Sequence, residues 1–219
     1  MKIDELCSEV FELAKQLGPD GLAHGAQGNI SACDRESGLV AVTPSAIPYR
    51  VMKPDDIVVT DMFGKVIKGK WTPTTEIKMH TIFFRERLDV NAVVHTHAPY
   101  ASVFAITNEQ IPPVLTEAAS CLTGPVPLAP YRAPGSAELA QIVLETIGSG
   151  VAVLLAHHGL LTVGQSLAEA YDSTLAAENT ARLVIWARSM GSKEITLDPE
   201  IQTEVRQSYI TYYHPVANE

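Results

Sequence analysis

The chain has no apolar run approaching the roughly 18 residues needed to cross a bilayer, so no membrane-spanning helix is expected. It has little positive charge: 16 Lys and Arg stand against 25 Asp and Glu, for a formal net charge of −9. Nucleic acid and membrane surfaces are therefore not expected partners. A phosphorylated small molecule stays open, because hydroxyls and backbone N–H groups can hold a phosphate without a basic surface. Cysteine is scarce. Cys7, Cys33 and Cys121 are odd in number and scattered, with no CxxC pair, which argues against a disulfide framework and fits thiols in a reducing compartment. There is no internal repeat, low-complexity tract or Gly/Ser linker. Acids stand in Met1-Lys2-Ile3-Asp4-Glu5, where a secretory leader would be basic and then apolar, so a cytoplasmic location is expected.

What is present is globular: 46% of the 219 residues are hydrophobic and 19% charged, which suits a single domain over 1–219. Leu6, Val10, Leu13 and Leu17 recur at helical spacing, and Gly18-Pro19 closes a helix over about 3–17. Strands are expected at 39–42, 56–59, 92–95 and 151–155, each bounded by turn residues. Helices are expected from Thr74 or Thr75 to about 87, over 99–106, over 138–147 with Ser136 as cap, and to about 190 from the capping-box pattern Ser166-Leu167-Ala168-Glu169. Such interleaving implies helices covering a central sheet.

The chemistry begins with His95-Thr96-His97 at the end of the apolar run 90–94, answered by Ala156-His157-His158-Gly159. Residues two apart on a strand share a face, so His95 and His97 can converge on one point. A third imidazole from another strand end would leave a coordination position open, as in a catalytic metal site. Three imidazoles suit zinc, and also manganese, iron or cobalt. Glu76, in Pro73-Thr74-Thr75-Glu76, stands where a helix dipole favours an acid, and the two threonines could cap that helix or bind an anion. The loops Gly25-Ala26-Gln27-Gly28-Asn29-Ile30-Ser31 and Thr43-Pro44-Ser45-Ala46 offer further hydroxyls, an amide and flexible backbone to a phosphate.

Taken in order, Gln27-Gly28-Asn29-Ile30-Ser31, Thr43-Pro44-Ser45-Ala46, Thr74-Thr75-Glu76, His95-Thr96-His97-Ala98-Pro99, Ala129-Pro130-Tyr131 with Gly135, and His158-Gly159 resemble the class II aldolase/adducin family. The likeness is strongest to its L-fuculose-1-phosphate aldolase branch and runs over about residues 5–190. It implies an α/β fold with three α/β/α layers around a mixed, mostly antiparallel sheet, assembled as a homotetramer with active sites between subunits. It implies one divalent metal on His95, His97 and His158, zinc first and manganese or cobalt as alternatives, with Glu76 as acid/base. Gly28, Asn29, Thr43, Ser45, Thr74 and Thr75 would hold the phosphate of a small sugar substrate. The implied reaction is cleavage of a ketose 1-phosphate, such as L-fuculose 1-phosphate, to dihydroxyacetone phosphate and an aldehyde through a metal-stabilised enediolate.

The chain departs from that branch at several positions. Ala26 replaces a threonine, Ala46 a glycine, and Thr116 a catalytic tyrosine contributed across a subunit interface. Glu117 follows, near where dehydratases of the same family carry an acid/base glutamate, and Tyr212 is the C-terminal phenol that aligns best with the site. A sugar-phosphate dehydratase, a decarboxylase or a 4-epimerase using Glu117 is therefore the alternative enzyme reading. A non-catalytic adducin-like module is the third, disfavoured by the three retained histidines.

Overall fold

The computed structural model describes residues 3–212. The elements in chain order are α1 (Ile3–Gln16), β1 (Asn29–Asp34), β2 (Leu39–Val42), a single 3-10 turn at Pro54–Asp56, β3 (Val58–Asp61), β4 (Val66–Lys68), α2 (Ile77–Glu86), β5 (Ala92–Thr96), α3 (Pro99–Thr107), α4 (Thr116–Cys121), β6 (Leu128–Ala129), α5 (Ala137–Ile147), β7 (Ala152–Leu155), β8 (Gly159–Gly164), α6 (Leu167–Ser189) and α7 (Pro199–Tyr212). The strands form one sheet in the order β4-β3-β2-β1-β5-β8-β7-β6. Every pairing is antiparallel except β6 with β7, which is the mixed sheet that the family resemblance implies.

The two-residue period of a strand distributes side chains to two cores. Ala92 and Val94 of β5, with Leu154 and Leu160, join the core closed by α1, α3 and α6. Val93, Val153, Leu161 and Val163 join the opposite core, closed by Met79 and Phe83 of α2 and Leu139 and Val143 of α5. Three layers result, and the central strands β7 and β8 are buried along their whole length. That double coverage explains why β7 reads as a continuous apolar run rather than as an alternating one. No helix among the described residues is long and apolar enough to cross a membrane.

Helix starts follow their local chemistry. The Ser136 hydroxyl accepts from Leu139 N at 3.0 Å, and the Ser166 hydroxyl accepts from Glu169 N at 3.2 Å. The Glu169 carboxylate turns back to Gln165 N at 2.9 Å, one residue before the cap. At α3 a remote group does this work: the Glu178 carboxylate on α6 accepts from Tyr100 N and Ala101 N at 2.9 and 2.7 Å, tying down the chain just after His97.

Three boundaries differ from the sequence-based expectation. Residues 54–56 close a 3-10 turn, so the strand expected at 56–59 lies at Val58–Asp61. The helix expected from Thr74 or Thr75 starts at Ile77, because Thr74 N donates to Thr43 O at 3.2 Å and the Thr74 hydroxyl accepts from Glu76 N at 3.3 Å, holding these residues outside the helix. The Gly/Asn-rich segment expected to be a loop becomes β1 from Asn29 onward.

Ala46 has φ +60° and is exposed. An alanine in this left-handed region carries about 1–2 kcal/mol of strain that glycine does not. Ala46→Gly is therefore expected to raise stability by about 1 kcal/mol, a shift of roughly 2–4 °C in Tm for a chain of this size, read by thermal unfolding.

Candidate active site

His95 lies near the end of β5 and His97 follows that strand on the same face, while His158 comes from the tight turn between β7 and β8. In that turn His158 N donates to Leu155 O at 3.0 Å, and His157 takes φ +58° with its exposed ring 6.4 Å from that of Tyr131. His157 is thereby kept out of the cluster. Two glycines allow the close approach. A Cβ on Gly159 would lie 2.3 Å from Thr96 O, and one on Gly28, whose φ is +75°, would lie 2.6 Å from His95 O. Backbone cannot yield at such distances, so both positions require glycine.

The His95, His97 and His158 rings form a triangle with centroids 4.7–5.1 Å apart, and one ring nitrogen from each lies within 4.8 Å of the others. His95 Nδ1 donates to Leu160 O at 2.9 Å. A carbonyl can only accept, so Nδ1 carries the proton and the Nε2 lone pair faces the cluster. Nε2 has no hydrogen-bond partner among the described residues, yet Glu76 Oε2 is 3.2 Å away. A lone pair facing a buried carboxylate at that distance requires a proton or a cation between them. This donor set fits a divalent metal ion, with His95 held in the ligating tautomer by Leu160.

Glu76 immediately precedes α2, and its Oε1 lies 3.5 Å from His158 Nε2. Burial opposes its ionisation, but attraction from His95, the hydrogen bond from Asn29 and attraction from His158 outweigh burial and hold its pKa below the usual carboxylate range. His95 is shifted the other way: burial disfavours its charge, and the Glu76 carboxylate overcomes this and raises its pKa. Burial, followed by repulsion from His95, pushes His97 and His158 down to about 4, keeping both neutral as ligation requires.

Sheet register supplies Asn29. It pairs with His95 across β1 and β5, and its Nδ2 donates to Glu76 Oε2 at 3.0 Å. Three loops gather beside it. Thr43 N donates to Ile30 O at 3.0 Å, Pro44 bridges Pro73, and Ser45 N donates to Thr72 O at 2.9 Å. The Thr43 hydroxyl accepts from Ile30 N at 3.2 Å and is also hydrogen-bonded with the Tyr49 hydroxyl, which itself donates to Gly28 O at 2.7 Å. Gly28, Asn29, Thr43, Ser45, Thr74 and Thr75 thus adjoin one another next to the carboxylate.

Glu117 is not brought to this cluster within one chain. It is exposed in the first turn of α4, which packs on α6 and α7. Cys121, at the end of α4, shares a small cavity with Val163, and Val163 pairs with Val93 on the part of β5 away from His95. Tyr212 closes α7, the helix packed on α4, and its side chain lies outside the described residues. Two residues beside the site take no role from the sequence: His80, and Ser31, which closes the motif over 27–31 but whose hydroxyl is buried against His80. The available signal is spacing: His80 follows Glu76 by one helical turn, and Ser31 follows Asn29 by one strand period.

The model of the class II aldolase and adducin N-terminal domain matches residues 8–185. A 5-deoxy-D-ribulose 1-phosphate aldolase of Bacillus thuringiensis serovar kurstaki is 36% identical over 195 residues, covering 89% of this chain and 91% of its own. Among solved structures, an L-fuculose 1-phosphate aldolase superposes with a TM-score of 0.89 at 32% identity, covering 94% of this chain and 96% of the other. The Escherichia coli protein YgbL, described as an aldolase/epimerase/decarboxylase on a provisional basis, gives a TM-score of 0.84 at 26% identity, covering 94% and 100%.

Proposed function

The chain belongs to the class II aldolase and adducin family, and on that premise we propose that this enzyme is a metal-dependent lyase cleaving a ketose 1-phosphate to dihydroxyacetone phosphate and an aldehyde. The observation that carries this reading is the ionised Glu76 set between His95, His158 and Asn29, next to the hydroxyl-lined loops. A divalent ion on His95, His97 and His158 would act as a Lewis acid, polarising the ketose carbonyl and stabilising the charge released when the carbon–carbon bond breaks.

The chain's own residues do the rest. Thr43, Ser45, Thr74, Thr75, Gly28 and Asn29 hold the phosphate, so its binding fixes the distance from anchor to reacting carbon. In the condensation direction Glu76, ionised at rest, removes the proton at C3 of dihydroxyacetone phosphate. In cleavage the electron pair of the C3–C4 bond passes to C3, and Glu76, after taking up a proton from solvent water, delivers it there. The C4 hydroxyl must lose its proton to a second group. Glu117 and Tyr212 sit on the paired helices α4 and α7, and in a homotetramer they could reach a neighbouring subunit's site.

Cleavage between C3 and C4 would release acetaldehyde from 5-deoxyribulose 1-phosphate and lactaldehyde from fuculose 1-phosphate. The deciding assay measures dihydroxyacetone phosphate release from both, and from other ketose 1-phosphates, by zinc- or manganese-loaded protein. Chelator-sensitive release supports the lyase, and the preferred substrate names the aldehyde. The likeness to YgbL and the presence of Glu117 favour a second reading, dehydration, decarboxylation or 4-epimerisation. No release from folded, metal-loaded protein, together with loss of the alternative activity in Glu117→Gln, would establish that second reading.

A further inference from the structure

Behind Glu76 the fold buries a chain of hydrogen bonds that runs away from the histidine cluster. Ser31 Oγ lies 2.6 Å from His80 Nδ1, His80 Nε2 lies 2.5 Å from Asn29 Oδ1, and Asn29 Nδ2 lies 3.0 Å from Glu76 Oε2. Ser31 and His80 are fully buried, and Asn29 and Glu76 nearly so. The chain spans two elements: Ser31 and Asn29 point from the same face of β1, and His80 reaches them from α2.

Its direction follows from donor and acceptor chemistry. An ionised carboxylate only accepts, so the Asn29 amide nitrogen faces Glu76 and the Asn29 carbonyl faces His80. A carbonyl only accepts, so His80 Nε2 carries the proton. His80 Nδ1 then offers a lone pair, and the Ser31 hydroxyl donates to it. The reverse arrangement would set the Asn29 carbonyl against the Glu76 carboxylate, two buried acceptors face to face with no proton between them. Each group thereby fixes the orientation of the next, and a buried network of this kind is worth having only when every member is satisfied.

One consequence reaches the reacting end. Asn29 and His95 both approach Oε2 of Glu76, whereas Oε1 has no hydrogen-bond partner among the described residues and faces His158. We propose that His80 is a positioning residue of this enzyme: held by Ser31 as the Nε2–H tautomer, it locks the Asn29 amide so that Oε2 of Glu76 is committed to the scaffold and Oε1 is the oxygen that exchanges the substrate proton. This rests on the lyase reading for the identity of that proton, but the hydrogen-bond chain itself belongs to the resting protein.

The test uses full-length protein and His80→Leu, His80→Gln and Ser31→Ala. His80→Gln keeps an N–H where Nε2 stood and can still donate to Asn29; His80→Leu cannot. In His80→Leu, kcat is expected to fall at least about tenfold while KM moves less than about threefold, because Asn29 is only one of the six residues proposed to hold the phosphate. His80→Gln should restore kcat to within about threefold of wild type, and Ser31→Ala should fall between the two. Metal content, measured by elemental analysis, should be unchanged in all of them. Independently of activity, nitrogen-15 NMR of the wild type should show His80 protonated at Nε2 and bare at Nδ1, and Ser31→Ala should weaken that preference.

Wild-type kcat in folded, metal-loaded His80→Leu, or an Nδ1–H tautomer in the wild type, would overturn the proposal. If His80→Leu does not fold, a tenfold loss in His80→Gln with the amide-nitrogen signal of Asn29 unchanged would also overturn it. Failure of the wild type to release dihydroxyacetone phosphate from any ketose 1-phosphate would count against the lyase reading instead, and the tautomer would still decide the hydrogen-bond chain.

Discussion

Glu76→Gln is expected to lower the rate of aldol cleavage by about 10²–10⁴-fold, the range typical of losing a positioned general acid or base. Glutamine preserves the volume and can still accept from Asn29, so the three loops and the fold should survive. The amide cannot carry the substrate proton, and it removes the one anionic group set between His95 and His158. The half-reaction isolates this role. Wild-type protein should exchange the C3 proton of dihydroxyacetone phosphate with deuterated water without any aldehyde present, and Glu76→Gln should lose exchange in parallel with cleavage. Cleavage lost with exchange retained would mean that another group moves the C3 proton. KM for the phosphorylated ketose should change less than about threefold, because Glu76 is not one of the six residues proposed to hold the phosphate.

Chelation, or His97→Ala, is expected to abolish turnover. His97 is a half-buried imidazole whose ring centroid is 5.0–5.1 Å from those of His95 and His158, so its truncation leaves two of the three nitrogens. Loss of a direct ligand should lower metal affinity by more than the ~10–100-fold typical of losing a group that only orients one. Zinc or manganese returned to the chelated wild type should restore activity, and returned to His97→Ala should not. The protons released on metal binding give a sharper check. His97 and His158 have pKa values pushed down to about 4 and are neutral at pH 6, whereas His95 is raised. Uptake of one ion at pH 6 should therefore displace about one proton rather than three, measured by calorimetry in buffers of different ionisation heat. Below pH 5 the two neutral imidazoles begin to protonate, and affinity should fall more steeply.

Much of the site is legible in the amino-acid sequence. His95-Thr96-His97 sits at the end of a strand as the apolar run predicts, and the strand period puts both imidazoles on one face. His158 lies in a turn just beyond the end of β7. The loops around Gly28, Thr43 and Thr74 adjoin one another, as their shared chemistry suggests. Glu76 is ambiguous on local sequence, because a carboxylate there could equally serve the helix dipole. Its side chain instead faces the histidines, since α2 begins only at Ile77. Other elements leave weaker signals. The strand β1 is hidden by its Gly-Asn start, and α4 and α7 by their short or weakly amphipathic patterns. The likeness to fuculose-phosphate aldolases carries the layer order and the mixed sheet, which periodicity cannot.

By itself, then, the sequence determined which residues could do chemistry and which face of its own element each one takes, because the periods of strand and helix are local properties of the backbone. Only the tertiary structure decided which faces meet. The pairing of Asn29 with His95 across β1 and β5, and the packing of α2 over that face, put Asn29 and His80 behind Glu76. A slip of one residue in that register would turn Asn29 and Ser31 to the opposite core and leave His80 without either partner. Register is set by the burial of whole sheet faces, a sum over many distant contacts, and no local stretch of this chain contains that sum.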